Sequence, residues 1–224
     1  MRYYPNPRYN NSKGIGRIRG ITFSKIEIKH LFWAWIGISI AFGNIIRFSN
    51  NLSSISSNSL IAFGLAFILS AITVGSGFLI HELCHKIVAQ KYGLGAEFRA
   101  SYFMLFLAII ISFSGIVFAA PGAVMILGNP TKKQNGIISV AGPWSNIVLA
   151  LLFGLFMFIP ISPFVNLIMS YGFMINILLA VFNMLPFWIL DGKKVLAWNK
   201  LVYGLTMGVA VILFILFQMI SVLG

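Results

Sequence analysis

Gly77-Phe78-Leu79-Ile80-His81-Glu82-Leu83-Cys84-His85 puts a His-Glu-x-x-His signature at the end of an apolar run long enough to cross a bilayer. On a helix, residues four apart share a face, so His81 and His85 can address a single metal ion. Glu82 lies beside them, placed to take a proton from a water on that metal. The chain holds only three histidines and three glutamates. Two of the former bracketing one of the latter inside membrane mark a metal centre, because such groups next to lipid are costly without a partner.

The composition around this stretch is that of a membrane protein. Of 224 residues, 59% are hydrophobic and 9% charged, against about 25% charged in soluble domains, and the mean hydropathy is +0.93. Several apolar runs approach the roughly 20 residues needed to span a bilayer. The expected class is therefore an all-α polytopic membrane protein. It has about five transmembrane helices and a membrane-associated β or re-entrant element; six spans is the alternative. The net charge of +12 does not imply a nucleic-acid partner, because Arg and Lys cluster between apolar spans, as retained cytoplasmic loops require. The single Cys84 excludes an intramolecular disulfide.

In chain order, residues 1–30 read as a basic cytoplasmic arm and 31–224 as one membrane domain. Within the arm, Ile21–Lys29 shows weak alternation, suiting an edge strand or an interfacial segment. Spans are expected at about Leu31–Ile46, at Ser59–Ile80 continuing as helix to Lys91, and at Ile137–Pro160, Val165–Phe187 and Tyr203–Leu223. At about 1.5 Å per residue, His81 lies roughly 33 Å from Ser59, near the far edge of the hydrocarbon. Gly93 is a candidate C-cap. Between the second and third spans, Ala96–Tyr102 alternates with period two, and a β-prone run follows Pro121-Gly122 as far as Leu127. The apolar stretch between them, Tyr102–Ala120, decides the topology. If it returns to the side it left, every Arg and Lys except Arg47 faces the cytoplasm, the arrangement that the positive-inside rule favours.

A catalytic zinc takes three protein ligands and keeps one position open. The acidic residues are Glu27, Glu82, Glu97 and Asp191. Glu27 and Glu97 read as surface or strand positions. Asp191 closes an apolar helix, on the His-motif side only in the re-entrant topology, and is the best third ligand. The bland reading of Asp191 is a cap or a partner for Lys193 or Lys194. Cys84 can reach a metal too, but a free Cys is more often packing.

His81-Glu82-Leu83-Cys84-His85 followed by Asn183-x-x-Pro186-x-x-x-Leu190-Asp191-Gly192 resembles the site-2 protease family of intramembrane zinc metalloproteases. Gly142-Pro143-Trp144-Ser145-Asn146 looks like that family's intervening Gly-x-x-x-Asn element. The resemblance covers about 59–194, the catalytic core. It implies one Zn2+ per chain held by His81, His85 and Asp191, with Glu82 as general base and Asn183 helping to hold substrate or transition state. The implied substrate is a transmembrane protein cleaved near the cytoplasmic face, held extended by a strand edge within Ala96–Leu127. Two positions depart from the pattern: Cys84, where Gly is frequent, and Trp188, where a second Pro is common. No PDZ-like or CBS-like domain is expected in the remaining length. The competing readings are a membrane zinc peptidase acting on non-spanning peptides, and a non-catalytic relative that binds membrane proteins. A zinc transporter is disfavoured, since no further acids or histidines line a path.

Overall fold

The computed structural model of the chain describes residues 16–18, 20–47, 58–117, 121–187 and 189–223. Most of the basic arm, and Trp188, lie outside the described residues. The chain is an all-α membrane protein with two small antiparallel strand pairs. Strands β1 (Gly16–Ile18) and β2 (Ile21–Phe23) lead into helix α1 (Lys25–Ile46). Helix α2 (Ser59–Lys91) is continuous through a π-helical turn at Ala71–Gly75. Strand β3 (Gly95–Ala100), short helix α3 (Tyr102–Ser112) and strand β4 (Gly122–Leu127) follow. Helices α4 (Lys132–Met157), α5 (Pro163–Asn183), α6 (Asp191–Trp198) and α7 (Lys200–Leu223) complete the chain.

Among the described residues, four helices are long and apolar enough to cross a membrane: α2, α4, α5 and α7. Helix α1 is the fifth helix of the sequence reading but is not among these four; its 22 residues begin with Lys25, Glu27 and Lys29. It starts at Lys25 and not Leu31 because Ser24 caps it, its hydroxyl accepting the Glu27 N–H at 3.0 Å. Of Ile21–Lys29, expected as an edge strand or an interfacial segment, Ile21–Phe23 is a strand, Ser24 is the cap and Lys25–Lys29 begin α1.

Helix α3, the described helix within 102–120, is too short to cross. Helix α3 has 11 residues, about 16 Å at the helical rise, or half the hydrocarbon thickness. The strands on either side pair in antiparallel register, with Ala100 opposite Gly122 and Phe98 opposite Val124. Ser101 N–H also donates to Pro121 C=O at 2.8 Å. The chain therefore returns to the point it left, and the sixth-span alternative falls.

One apolar core locks this hairpin to the bundle. Phe98, Val124 and Ile126 pack with Val74 of α2, Ile138 of α4 and Ile38 of α1. The lipid-facing surface is carried by side chains such as Phe103, Leu155, Leu201 and Leu205, each at least 60% exposed, as expected where lipid replaces water.

Candidate metal centre

Three ligands converge from two distant parts of the chain. His81 and His85 project from one face of α2. Asp191 is the first residue of α6, although the sequence reading had it closing the preceding span. That span stops at Asn183, and a turn-rich segment carries the chain on to Asp191. One potential ligand atom from each of the three residues lies within 4.8 Å of the others, and all three side chains are buried. The two Nε2 atoms are 3.0 Å apart, and Asp191 Oδ2 lies 3.3 Å from that of His81 and 2.9 Å from that of His85. Ligands about 2.0–2.1 Å from a tetrahedral zinc stand about 3.3 Å from each other, so the spacing suits one ion.

The hydrogen bonds behind the ligands decide which atoms face inward. His81 Nδ1 is 2.6 Å from the Oδ1 of Asn146, and His85 Nδ1 is 2.7 Å from the Ile138 carbonyl. Both partners are acceptors, so both Nδ1 atoms carry the proton and both Nε2 lone pairs point at Asp191. Three acceptors meeting without a donor repel one another unless a cation lies between them. Burial alone would push the Asp191 carboxyl up. The positive charge of the nearby Lys194 works against this and favours the ionised carboxylate. The ionised form is the one that ligates metal. Lys194 does reach Asp191, at 3.3 Å, but on the other oxygen, Oδ1. The cap-or-partner reading and the ligand reading are therefore compatible.

Two glycines make room for this geometry. A Cβ at Gly142 of α4 would stand 2.5 Å from both Nε2 atoms, so the backbone of α4 forms one wall of the pocket. A Cβ at Gly192 would stand 2.0 Å from the Met184 carbonyl oxygen. The Asp-Gly pair is thus what lets α6 approach the end of α5 closely enough to deliver Asp191. The Asn146 amide is held in turn: its Nδ2 donates to Gly77 C=O at 3.2 Å and to Asn176 Oδ1 at 3.0 Å. Asn176 Nδ2 donates to Gly172 C=O at 2.8 Å. The buried Asn146–Asn176 pair joins α2, α4 and α5 behind the ligands.

The other candidate residues lie as follows. Glu82 is nearly buried, and its Oε2 accepts the Val124 N–H of β4 at 2.9 Å. Asn183 is the last residue of α5, with its amide donating to its own helix at Leu179 C=O, 2.9 Å. Cys84 is outside the ligand group and faces Ser145 of α4. Glu27 departs from the sequence reading. It is fully buried and paired with Lys86, because α1 begins early enough to carry it under the hairpin. The sequence reading missed Asn176, and it named Gly142 and Asn146 only as a Gly-x-x-x-Asn element, without a role. Asn176 had a usable signal, an amide in the middle of an apolar span; the part Gly142 plays beside the ligands needed the fold.

A search of protein-family models returned no match, and no solved structure matched. Among curated proteins, the chain is 45% identical over 158 residues to one from Methanocaldococcus jannaschii named "Putative zinc metalloprotease MJ0611". That alignment covers 69% of this chain and 82% of the relative. It is 28% identical over 144 residues to one from Bacillus subtilis named "Putative zinc metalloprotease YwhC", covering 56% of this chain and 66% of the relative. The convergent His-His-Asp group is the donor set that these names call for. On this similarity and that donor set, the chain belongs to the zinc metalloprotease family.

Proposed function

We propose that the protein is an intramembrane metalloprotease of the site-2 type, hydrolysing peptide bonds of membrane-spanning substrates near the cytoplasmic face. One observation carries this reading. The residue next to the first ligand, Glu82, turns its carboxylate to the outer edge of a β-strand while His81, His85 and Asp191 close on a common point.

A zinc ion held by these three residues would supply Lewis acidity toward a peptide carbonyl and lower the pKa of a water. The protein's own groups supply the rest. Glu82 is the proton acceptor, fixed by the Val124 N–H, and later returns the proton to the leaving amine. Substrate must reach it unwound, since a helix hides its carbonyls in hydrogen bonds. Strand β4 is the edge suited to hold it extended. The outer edge of β3 is already taken: Ala96 C=O accepts from Gln90, Phe98 N–H donates to Glu27, and Ala100 N–H donates to His30 Nδ1. On β4, Gly122, Val124 and Ile126 share the outward parity, and only the Val124 N–H has a bond there, to Glu82, among the described residues. Asn183 is assigned to substrate contact on the family resemblance alone. The basic residues between the spans favour a cytoplasmic orientation for this end of the bundle.

Zinc analysis and single-turnover cleavage with Glu82→Gln test the proposal. Retained zinc together with loss of cleavage of a membrane-spanning substrate is the expected result. Full activity in that variant, or zinc-free wild type, overturns it. Equal cleavage of a peptide with no span would favour the reading as a peptidase of non-spanning substrates.

A further inference from the structure

Lys86 follows Glu82 by one turn on α2 and is fully buried, its ammonium paired with the equally buried Glu27 of α1. The Phe23 ring covers the ammonium, with its centroid 3.7 Å away. A buried ion pair adds little stability over an apolar pair of the same volume, because removing both charges from water offsets their attraction; its best-attested use is to fix register. The connections here identify what is registered. The other oxygen of Glu27 accepts the Phe98 N–H at 2.9 Å. Phe98 stands opposite Val124 in the hairpin, and Val124 gives its N–H to Glu82. The contacts form a closed ring that leaves α2 at Lys86, crosses the hairpin at one rung, and returns to α2 at Glu82.

We infer that Lys86 and Glu27 are positioning residues: they fix which rung of the β3–β4 hairpin faces Glu82, and so where the carboxylate and the open edge of β4 stand relative to the metal ligands. The parity of a strand makes this consequential. A slip of one residue turns the Val124 N–H toward β3 and away from Glu82. A slip of two would offer Glu82 the N–H of Gly122 or Ile126 and move the substrate edge by about 7 Å. Apolar packing of Phe98 and Val124 sets which face is buried, but it does not distinguish such two-residue slips. A carboxylate on a single N–H does.

The inference deepens the proposed function and rests on it for the role of Glu82, so its test has one arm that needs no activity. The double variant Glu27→Leu/Lys86→Met removes both charges, avoiding the stranded carboxylate that Lys86→Met alone would leave. Metal content, amide hydrogen exchange and kcat are measured on metal-loaded protein in micelles. The expected result is one metal per chain, exchange at least tenfold faster in 95–100 and 122–127 with α4 and α5 unchanged, and kcat per metal-loaded molecule down at least tenfold. Wild-type protection in the hairpin, or a loosened hairpin with wild-type kcat, overturns the inference. So does exchange accelerated evenly through the whole bundle, since that is a general stability role. If the wild type cleaves nothing yet the hairpin loosens selectively, the protease reading fails and the register role of the pair stands.

Discussion

The Nδ1 of His81 lies 2.6 Å from the Oδ1 of Asn146, on a different helix, and that one bond settles which imidazole nitrogen faces the metal site. Asn146 cannot rotate away, because its own N–H groups are engaged by Gly77 and Asn176. Replacing Asn146 with Ala removes the acceptor and lets the ring change tautomer. Partners of this kind are worth about 10–100-fold in metal affinity. Asn146→Ala is expected to weaken zinc binding by that factor in a competition titration, and Asn176→Ala by less.

Removing the metal leaves three lone pairs facing one another inside the bundle. An ion bound only by the folded state stabilises it by about 4 kcal/mol at a thousandfold excess over Kd. Treatment with a chelator is expected to lower Tm by several degrees, and zinc to restore it. Asp191→Asn, which keeps the shape of the side chain but not its charge, is expected to abolish most of the zinc response in the same thermal scan.

The Val124 N–H points out of the hairpin toward Glu82. Proline at 124 therefore deletes the bond to the carboxylate while leaving the β3–β4 ladder intact, because outward positions tolerate it. Val124→Pro is expected to retain zinc and lose at least tenfold in cleavage rate. Proline at 123, whose residue pairs inward with Arg99, is expected to unfold the hairpin and be read as lost hydrogen-exchange protection.

Gly192 touches the Met184 carbonyl, and a methyl there would sit 2.0 Å from its oxygen. Backbone cannot yield as a flexible side chain can, so Gly192→Ala must push α6 outward and carry Asp191 with it. The expected outcome is a folded protein with zinc affinity reduced to near that of Asp191→Asn, measured by the same titration.

Much of the site was legible in the sequence because its chemistry is local. His81, Glu82 and His85 share one turn, and Asp191 stood out as one of only four acidic residues. The hairpin was legible for a similar reason: period-two alternation at Ala96–Tyr102 and the Pro-Gly start of β4 are short-range signals. What escaped depended on contacts between distant segments. Glu27 looked like a surface residue because its partner, Lys86, is 59 positions away, and neither residue announces the other. The start of α1 was placed late because the polar residues of its first turn resemble a loop until Ser24 is seen to cap it. Asn183, chosen by resemblance, has its amide on its own helix, while Asn146 and Asn176 carry the scaffold of the ligands; only the fold separates these three amides.

Gly142 gives the site a further property. The three ligands meet against a residue of a neighbouring helix that has no side chain, and that helix contributes none of the three. The smallest change available, a single methyl, would stand 2.5 Å from the Nε2 atoms of both imidazoles. At this position the smallest substitution acts directly on the ligand atoms. Gly142→Ala would keep every ligand residue, the base and the strand edge while forcing the two imidazoles off their present positions.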